Sequence, residues 1–324
     1  MDLLQTIKEG TFANYGIPKK VVDTLLSNLF FFEDRVLKVY KHKKAFYGDL
    51  ADFDFRKEFY SEDFFWNHRF APEIYLELLG VKQTVGSFSV VSFKEADDFL
   101  IEMAVIDDTQ NLTNLLIGGT ITAKHMQAVT GVLTEKLRAL TGERKERLSH
   151  LFERGWPALQ EEALDDLRQW AYLAEEYIPR KNTDAMIDLL KATAAKEPYF
   201  VNYDESLLSV AIDNNCDNLL LFKGKPSFID IMTPKENWRV SDEYFTIVRT
   251  AVDAYVLGNK ELGDAVYATY ENYREAPPKD VTLIYEIRSG LIQWAYRHII
   301  SRHAQAQKYA DFVLWKVKEL QEGG

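Results

Sequence analysis

The first apolar runs of the chain are short and are separated by an acidic turn. Residues 28–40 read NLFFFEDRVLKVY, an order that predicts a β-hairpin. Side chains alternate between the two faces of a strand, so Val36, Lys38 and Tyr40 share one face of the second strand. A lysine therefore lies within an otherwise apolar strand.

Large apolar side chains then recur at helical spacing. They extend over residues 54–70 and are followed by Pro72, a pattern that predicts a helix ending near residue 70. Residues 87–93 and 98–105 are short apolar runs that predict two more strands. We expect a first domain over residues 1–105 that contains a small sheet and one helix.

Helical periodicity dominates the rest of the chain, residues 106–324. The pattern predicts helices over 123–140, 157–177, 184–194 and most of 241–320. Two strand-like runs, residues 218–222 and 227–231, are joined by a turn containing Gly and Pro, which predicts a hairpin within residues 211–231. The expected fold class is α+β, with a small antiparallel sheet in the first domain and a larger, mostly helical second domain.

Composition narrows the classes of function. The chain of 324 residues carries 50 acidic and 39 basic side chains, a formal charge of −11. This charge repels a phosphate backbone, so we expect no nucleic-acid partner, and as a bulk property it favours a cationic acceptor such as an amine. The single cysteine, Cys216, excludes an internal disulfide. The sequence contains neither a signal-peptide pattern nor a long apolar run, so we expect a cytoplasmic protein without a membrane span.

Common cofactor and catalytic fingerprints are absent from the sequence. The 16 glycines form neither the dinucleotide-binding G-x-G-x-x-G nor a Walker A loop. The six histidines form no H-x-x-x-H pair, which favours surface or locally bonded roles over metal binding. The sequence also lacks the G-x-S-x-G motif, so nothing in it indicates a serine hydrolase. The candidate chemistry therefore rests on other residue types.

Three oxygen-bearing side chains flank the second predicted hairpin. Asn218 follows Asp213 by five positions, and Asp230 lies at the end of the next strand-like run. In phosphoryl transfer, a loop Asp accepts the proton of the substrate hydroxyl, while an Asn and a second Asp hold Mg²⁺ on the nucleotide triphosphate. The alternative is a polar turn, because Asn and Asp favour turns through their own hydrogen bonds.

Lys38 and the helix over residues 54–70 fit the same chemistry. A strand lysine can reach the phosphates of ATP and be oriented by a helix carboxylate, for which Glu62 is the first choice and Asp63 the second. Ser27 is a further candidate for a position near the nucleotide. The alternatives are a lysine that extends its stem to solvent and a solvated helix face.

Two stretches of the first domain and three residues of the second match a known pattern. Residues 34–41 (DRVLKVYK) are similar to GDRVYKIKKP, and residues 67–76 (NHRFAPEIYL) to NRRLAPDLYL. Asp213 and Asn218 fall on the Asp and Asn of HGDLHLGN, and Asp230 falls on the Asp of LFD. The sequence thus resembles a bacterial family of uncharacterised aminoglycoside-phosphotransferase-like proteins.

The resemblance also includes Arg239 and Asp242, which match the family's LRYIDV. The acid of that motif is expected to brace the catalytic loop. The resemblance implies a two-lobed, protein-kinase-like fold that binds ATP and Mg²⁺ between its lobes and phosphorylates a small molecule. It also implies that Asp213 is the catalytic base and that Asn218 and Asp230 are the metal ligands.

The catalytic loop departs from the family pattern at four positions. Ala211 and Ile212 replace its His and Gly, Asn215 replaces its second His, and Asp217 replaces the Gly before the final Asn. Gly tolerates backbone conformations that Ile does not. Asp217 adds an acid that either assists Mg²⁺ or repels the phosphates. The family's His near the end of an earlier helix is also absent, since residues 135–139 read EKLRA.

Three hypotheses follow. The first and preferred one is an ATP-dependent phosphotransferase that acts on a hydroxyl of a small molecule. The second is a pseudokinase, a nucleotide-binding or scaffolding module without transfer activity, which the altered loop motivates. The third is a helical interaction protein that binds a basic partner through the acidic stripe over residues 161–176.

Overall fold

The structure is a computed structural model that describes residues 2–45 and 48–323. Its two compact units are Met1–Asp108 with Ser227–Pro234, and Thr109–Pro226 with Lys235–Gly324. The first unit ends close to residue 105, where the sequence placed the boundary. Ser227–Pro234 belongs to the first unit although the sequence placed it in the second domain, because its backbone forms hydrogen bonds with first-unit side chains.

A six-stranded antiparallel sheet forms the centre of the first unit. The strands of this unit's sequence are β1 (Lys20–Asp23), β2 (Ser27–Phe31), β3 (Arg35–Tyr40), β4 (Lys44–Ala45), β5 (Gly48–Asp49), β6 (Tyr75–Thr84), β7 (Ser87–Val91) and β8 (Asp98–Ala104). The large sheet has the order β1-β2-β3-β8-β6-β7, and β4 pairs with β5 separately. The strand of Lys38, β3, therefore lies in the interior of the sheet, between β2 and β8.

Two helices cover the faces of this sheet. Helix α1 (Leu3–Lys8) packs on the face that carries Leu37 and Val39. Helix α2 (Phe53–Phe70) packs on the opposite face, where the rings of Phe59 and Tyr60 contact Tyr40 edge-on. The hairpin predicted over residues 28–40 and the helix predicted over 54–70 are both confirmed.

The second unit is mostly helical. Its helices are α3 (Leu112–Ile117), α4 (Ala123–Arg144), α5 (Ser149–Phe152), α6 (Trp156–Tyr172), α7 (Arg180–Ala194), α8 (Pro198–Val201), α9 (Glu243–Asp253), α10 (Lys260–Tyr270), α11 (Lys279–Ile299) and α12 (His303–Gly323). One π-helical turn, Ala254–Gly258, extends α9. Across the described part of the chain, no helix combines the length and apolarity that a membrane crossing requires.

Four short strands frame the loop that contains Asp213. They are β9 (Leu208–Val210), β10 (Leu219–Phe222), β11 (Lys225–Phe228) and β12 (Val240–Asp242). Strand β9 pairs antiparallel with β12 and leads into the loop. Strands β10 and β11 form a two-stranded sheet through Lys223 and Gly224, both with positive φ, as a tight hairpin turn requires. Strand β11 lies two to three residues earlier than the predicted run 227–231.

Candidate functional site

Lys38 is buried on β3 between two carboxylates of the first unit. Its Nζ donates to Asp63 Oδ2 at 3.2 Å and to Asp230 Oδ1 at 2.6 Å, and lies 4.8 Å from the ring centroid of Tyr40. Burial alone would lower the pKa of this ammonium group, but Asp230 and Asp63 outweigh burial and hold the pKa well above its ordinary value. Lys38 is therefore a fixed, buried cation, and the alternative of a lysine extended to solvent is wrong.

The helix carboxylate that contacts Lys38 is Asp63, the second choice of the sequence analysis. The preferred Glu62 instead accepts a hydrogen bond from Trp66 Nε1 at 3.1 Å and is buried, so it does not lie on a solvated face. Consecutive helical residues point about 100° apart, so these two side chains face different neighbours. Burial raises the pKa of Asp63, and Lys38 partly offsets this. Asn67, one turn later, donates Nδ2 to Asp63 Oδ1 at 2.8 Å and fixes the carboxylate.

The backbone at Asp230 is held in a conformation that few side chains adopt. Its φ is 52°, in the left-handed region, which Asp tolerates better than most residues. Its N–H donates to Tyr75 Oη at 2.8 Å, and the N–H of Ile231 donates to Asn67 Oδ1 at 3.0 Å. The side chain of Asp230 is 59% exposed. The first unit thus presents an accessible carboxylate whose Oδ1 pairs with the buried lysine.

Ser27, the further nucleotide candidate, lies at the start of β2 and is buried. Its Oγ is 3.0 Å from Thr24 Oγ1, and its N–H donates to the same hydroxyl at 2.9 Å. The Ser27 side chain therefore closes the turn between β1 and β2. Within residues 2–45 and 48–323, no three His, Cys, Asp or Glu side chains form a group that could hold a metal ion by themselves.

In the second unit, an arginine of α9 contacts the loop of Asp213. Arg249 donates Nη2 to Asp213 Oδ1 at 2.6 Å and Nη1 to the carbonyl of Ile212 at 3.1 Å. Asn218 donates Nδ2 to the carbonyl of Asp213 at 2.9 Å. The loop backbone at Ile212, where the family has Gly, is thus fixed by a long-range side chain. The side chain of Asn218 is therefore in direct contact with the backbone of Asp213.

The extra acid of the loop, Asp217, pairs with two arginines. Its Oδ2 is 2.5 Å from Arg297 Nη1 and its Oδ1 is 2.9 Å from Arg302 Nη1. Burial opposes ionisation of Asp217, but Arg297 and Arg302 outweigh it and lower the pKa of this carboxyl. Asp217 therefore anchors the loop to α11 and to Arg302, the residue before α12.

Two further contacts fix the same loop, and sequence reasoning missed both. Asp253 accepts from the N–H of Cys216 at 2.8 Å and from Tyr309 Oη at 2.7 Å. Asn214 donates Nδ2 to the carbonyl of Thr246 at 2.7 Å. No local pattern signals such distant partners. Asn67 and Tyr75 were also missed, although both lie in the stretch 67–76 that carries the resemblance.

Asp242 does not brace the loop through its side chain, which corrects the expectation from the resemblance. Its Oδ2 accepts from Tyr199 Oη at 2.5 Å and from Tyr285 Oη at 3.0 Å, and its Oδ1 accepts from the N–H of Tyr244 as the N-cap of α9. Burial raises the pKa of Asp242 to about 6, although the tyrosine donors oppose this rise. The buried acid thus ties α9 to neighbouring tyrosines.

Comparison with solved structures identifies the fold. The chain is similar to choline kinase from Cryptosporidium parvum (TM-score 0.54, 14% identity, covering 94% of this chain and 90% of that chain). It is also similar to APH(2")-IIia in complex with GDP and kanamycin (TM-score 0.52, 10% identity, 99% and 98% covered). A third similar structure is the AMP-bound spectinomycin phosphotransferase (TM-score 0.51, 11% identity, 95% and 94% covered).

No family model and no curated protein matches the sequence. At 10 to 14% identity the structural likeness establishes the fold. The chain has the two-lobed, protein-kinase-like fold of small-molecule phosphotransferases such as choline kinase. The fold predicted from the sequence is therefore confirmed.

Proposed function

We propose that this protein is an ATP-dependent phosphotransferase that acts on a hydroxyl of a small molecule. The observation that carries the proposal is the buried Lys38, paired with Asp63 and Asp230 within the first unit. A lysine held in place by carboxylates is a pre-oriented cation for nucleotide phosphates. Two neighbours of the same fold, solved with GDP and with AMP, support the choice of a nucleotide.

Each residue has a defined role in the proposed reaction. Lys38 binds phosphate oxygens, and Asp63 orients it. The carboxylate of Asp230 and the amide oxygen of Asn218 would each offer a hard oxygen donor of the kind that Mg²⁺ takes, and the ion would neutralise charge on the phosphates. Asp213 accepts the proton of the acceptor hydroxyl. The hydroxyl oxygen bonds to the γ-phosphorus while the bridging bond to the β-phosphate breaks, and ADP leaves.

A thermal-shift titration with ATP and Mg²⁺ tests the nucleotide assignment. A ligand that binds only the folded state raises the melting temperature by mass action. We expect a Mg²⁺-dependent rise for the wild type and for Asp34→Asn, a matched control at an exposed surface acid. Asp230→Asn should lose the rise. The absence of any shift at millimolar ATP would contradict the proposal.

The second candidate function is nucleotide binding without transfer. The observation that favours it is the ion pair of Asp213 Oδ1 with Arg249 at 2.6 Å, which occupies one oxygen of the proposed base. An ADP-release assay over a panel of hydroxylated acceptors separates the two candidates. A phosphotransferase loses turnover in Asp213→Asn while its melting-temperature response to Mg-ATP stays unchanged. Nucleotide binding without ADP release from any acceptor would identify the non-catalytic module.

A further inference from the structure

Arg288 of α11 is a buried cation without a polar partner. The residue is 7% exposed, and its Nε and Nη1 are shielded from solvent and make no hydrogen bond. Among the described residues, no carboxylate pairs with it. A buried charge without a counter-charge is costly, so natural proteins rarely keep one unless it binds something.

Two aromatic rings form the surroundings of the Arg288 guanidinium. Its Cζ lies 3.9 Å from the ring centroid of Phe245 on α9 and 5.3 Å from that of Trp156 on α6. Ring faces attract a cation and hold the planar group in place, but they accept no conventional hydrogen bond. The rings therefore position the guanidinium and leave the N–H donors of Nε and Nη1 unused.

The position of Arg288 relates it to the proposed base. Phe245 and Arg249 are four residues apart on α9, which places them on one face of that helix. Arg249 pairs with Asp213 at 2.6 Å. Burial and the like charge of Arg249 lower the pKa of Arg288 to about 10, so the group remains charged at neutral pH. A second guanidinium thus lies on the α9 face whose arginine contacts Asp213.

The two acids at the start of α9, Asp242 and Glu243, form hydrogen bonds with residues other than Arg288. Glu243 accepts two hydrogen bonds from Arg138, from Nε to Oε2 at 3.0 Å and from Nη2 to Oε1 at 2.9 Å. Asp242 accepts from Tyr199 and Tyr285. Neither supplies a counter-charge to Arg288. Arg288 thus has no carboxylate partner among the described residues, although the whole chain carries a formal charge of −11.

We propose that Arg288 binds an anionic group, a carboxylate or a phosphate, on the acceptor whose hydroxyl reacts at Asp213. Guanidinium donors match the oxygens of both anions. The statement about the acceptor rests on the proposed function, whereas anion binding at Arg288 does not. The proposal reverses the expectation of a cationic acceptor, because recognition depends on the charge at the site rather than on the sum over the chain.

The first experiment measures anion binding to the nucleotide-free full chain by titration calorimetry with inorganic phosphate and, separately, with acetate. Arg288→Met should weaken phosphate binding roughly tenfold or more, and Arg288→Lys should keep part of it. The matched control is Arg180→Met, which changes an exposed arginine that lies 4.5 Å from the Tyr172 ring and pairs with Glu175. The same titration of Lys38→Met shows whether part of the phosphate binding takes place at Lys38.

Phosphate binding that survives in Arg288→Met, or that is lost only in Lys38→Met, would overturn the proposal. So would a wild type that does not bind phosphate or acetate. Loss of folding is not the expected result for Arg288→Met, because the change removes a buried unpaired charge. Its melting temperature, compared with that of the wild type, verifies that the variant is folded.

The second experiment identifies the acceptor class with an ADP-release assay. Its arms are hydroxycarboxylic acids, sugar phosphates and amino alcohols, each with Mg-ATP. We expect turnover in one of the first two arms, which distinguishes a carboxylate from a phosphate, and a KM raised roughly tenfold or more in Arg288→Met with a smaller change in kcat. Turnover confined to amino alcohols would overturn the proposal. Arg288-dependent phosphate binding without turnover would leave the anion site in place and contradict the phosphotransferase instead.

Discussion

Two buried cations of this protein have opposite surroundings. Lys38, in the first unit, is 3% exposed and lies between the carboxylates of Asp63 and Asp230. Arg288, in the second unit, is 7% exposed and has aromatic rings but no acid beside it. Because an interior charge is stable only with a counter-charge, Lys38 is part of a completed ion cluster, whereas a ligand must complete the surroundings of Arg288.

The comparison separates two uses of a buried charge. The Lys38 cluster supports the fold, since Lys38 compensates both carboxylates and its removal leaves the buried Asp63 without a counter-charge. Arg288 lowers the stability of the second unit and is retained for binding, as is common where function and stability oppose each other. Substitutions at the two kinds of site should therefore change the free energy of unfolding in opposite directions.

The largest contrast is expected within helix α11, between Arg288 and Arg297. Arg297→Met should lower the free energy of unfolding by about 3 kcal/mol, because it leaves the half-buried Asp217 with only the exposed Arg302 as its counter-ion. Arg288→Met should raise it by about 1–2 kcal/mol, because it removes an unpaired charge from between two rings. Urea unfolding of both variants measures the difference. Changes of the same sign would contradict the assignment of Arg288 as uncompensated.

Lys38→Met should have the next largest effect. The change leaves the carboxylate of Asp63 buried without its counter-ion, at a cost of about 3 kcal/mol in the free energy of unfolding. Lys82→Met, at an exposed strand lysine, is the matched control and should change the free energy by less than about 0.5 kcal/mol. Urea unfolding is the measurement. A loss in Lys38→Met no larger than that of the control would show that the cluster contributes little.

Much of the first unit could be predicted from local pattern. The hairpin around Lys38 consists of two apolar runs separated by an acidic turn, and helix α2 repeats its large side chains at helical spacing. Strand β6 was missed because a bulge between Tyr75 and Glu77 breaks the alternation. Helix α1 was missed because six residues are too few to establish a helical period. Local pattern thus succeeds where the backbone is regular over several residues.

The candidate site was predictable only in part. The spacing of Asp213 and Asn218 singled out the loop, and the strand lysine was visible because a charge interrupts an apolar run. The choice between Glu62 and Asp63 depended on which face of α2 packs against β3. Polar and apolar residues are poorly separated around that helix, so the sequence alone did not determine this face. Arg249 and Arg288 lie on helices far along the chain from the Asp213 loop. Only tertiary packing places the Arg249 guanidinium against this loop, so no local pattern could indicate it.

A third buried charge, Asp242, sharpens the comparison because its side-chain partners are neutral hydroxyls. The folded pKa of about 6 lies above the ordinary value of 3.8. Between pH 3.8 and pH 6 the folded state therefore binds more protons at Asp242 than the unfolded state does. The stabilisation that protonated Asp242 contributes is full below pH 3.8 and is lost as the pH rises through 6. The unfolding free energy of the wild type minus that of Asp242→Asn should fall by about 2–3 kcal/mol from pH 4 to pH 7. Urea unfolding across this range measures it, and a flat difference would contradict the burial argument.

The smallest effect is expected at Glu62, the residue that the sequence favoured over Asp63. Glu62→Gln keeps an oxygen that can accept from Trp66 Nε1, so the free energy of unfolding should change by less than about 1 kcal/mol. Its melting-temperature response to Mg-ATP should equal that of the wild type. Asp63→Asn is the matched variant: it removes one of the two carboxylates that orient Lys38 and should weaken the response. If Glu62→Gln weakened nucleotide binding as much as Asp63→Asn, the lysine would depend on the whole acidic turn of α2 rather than on one ion pair.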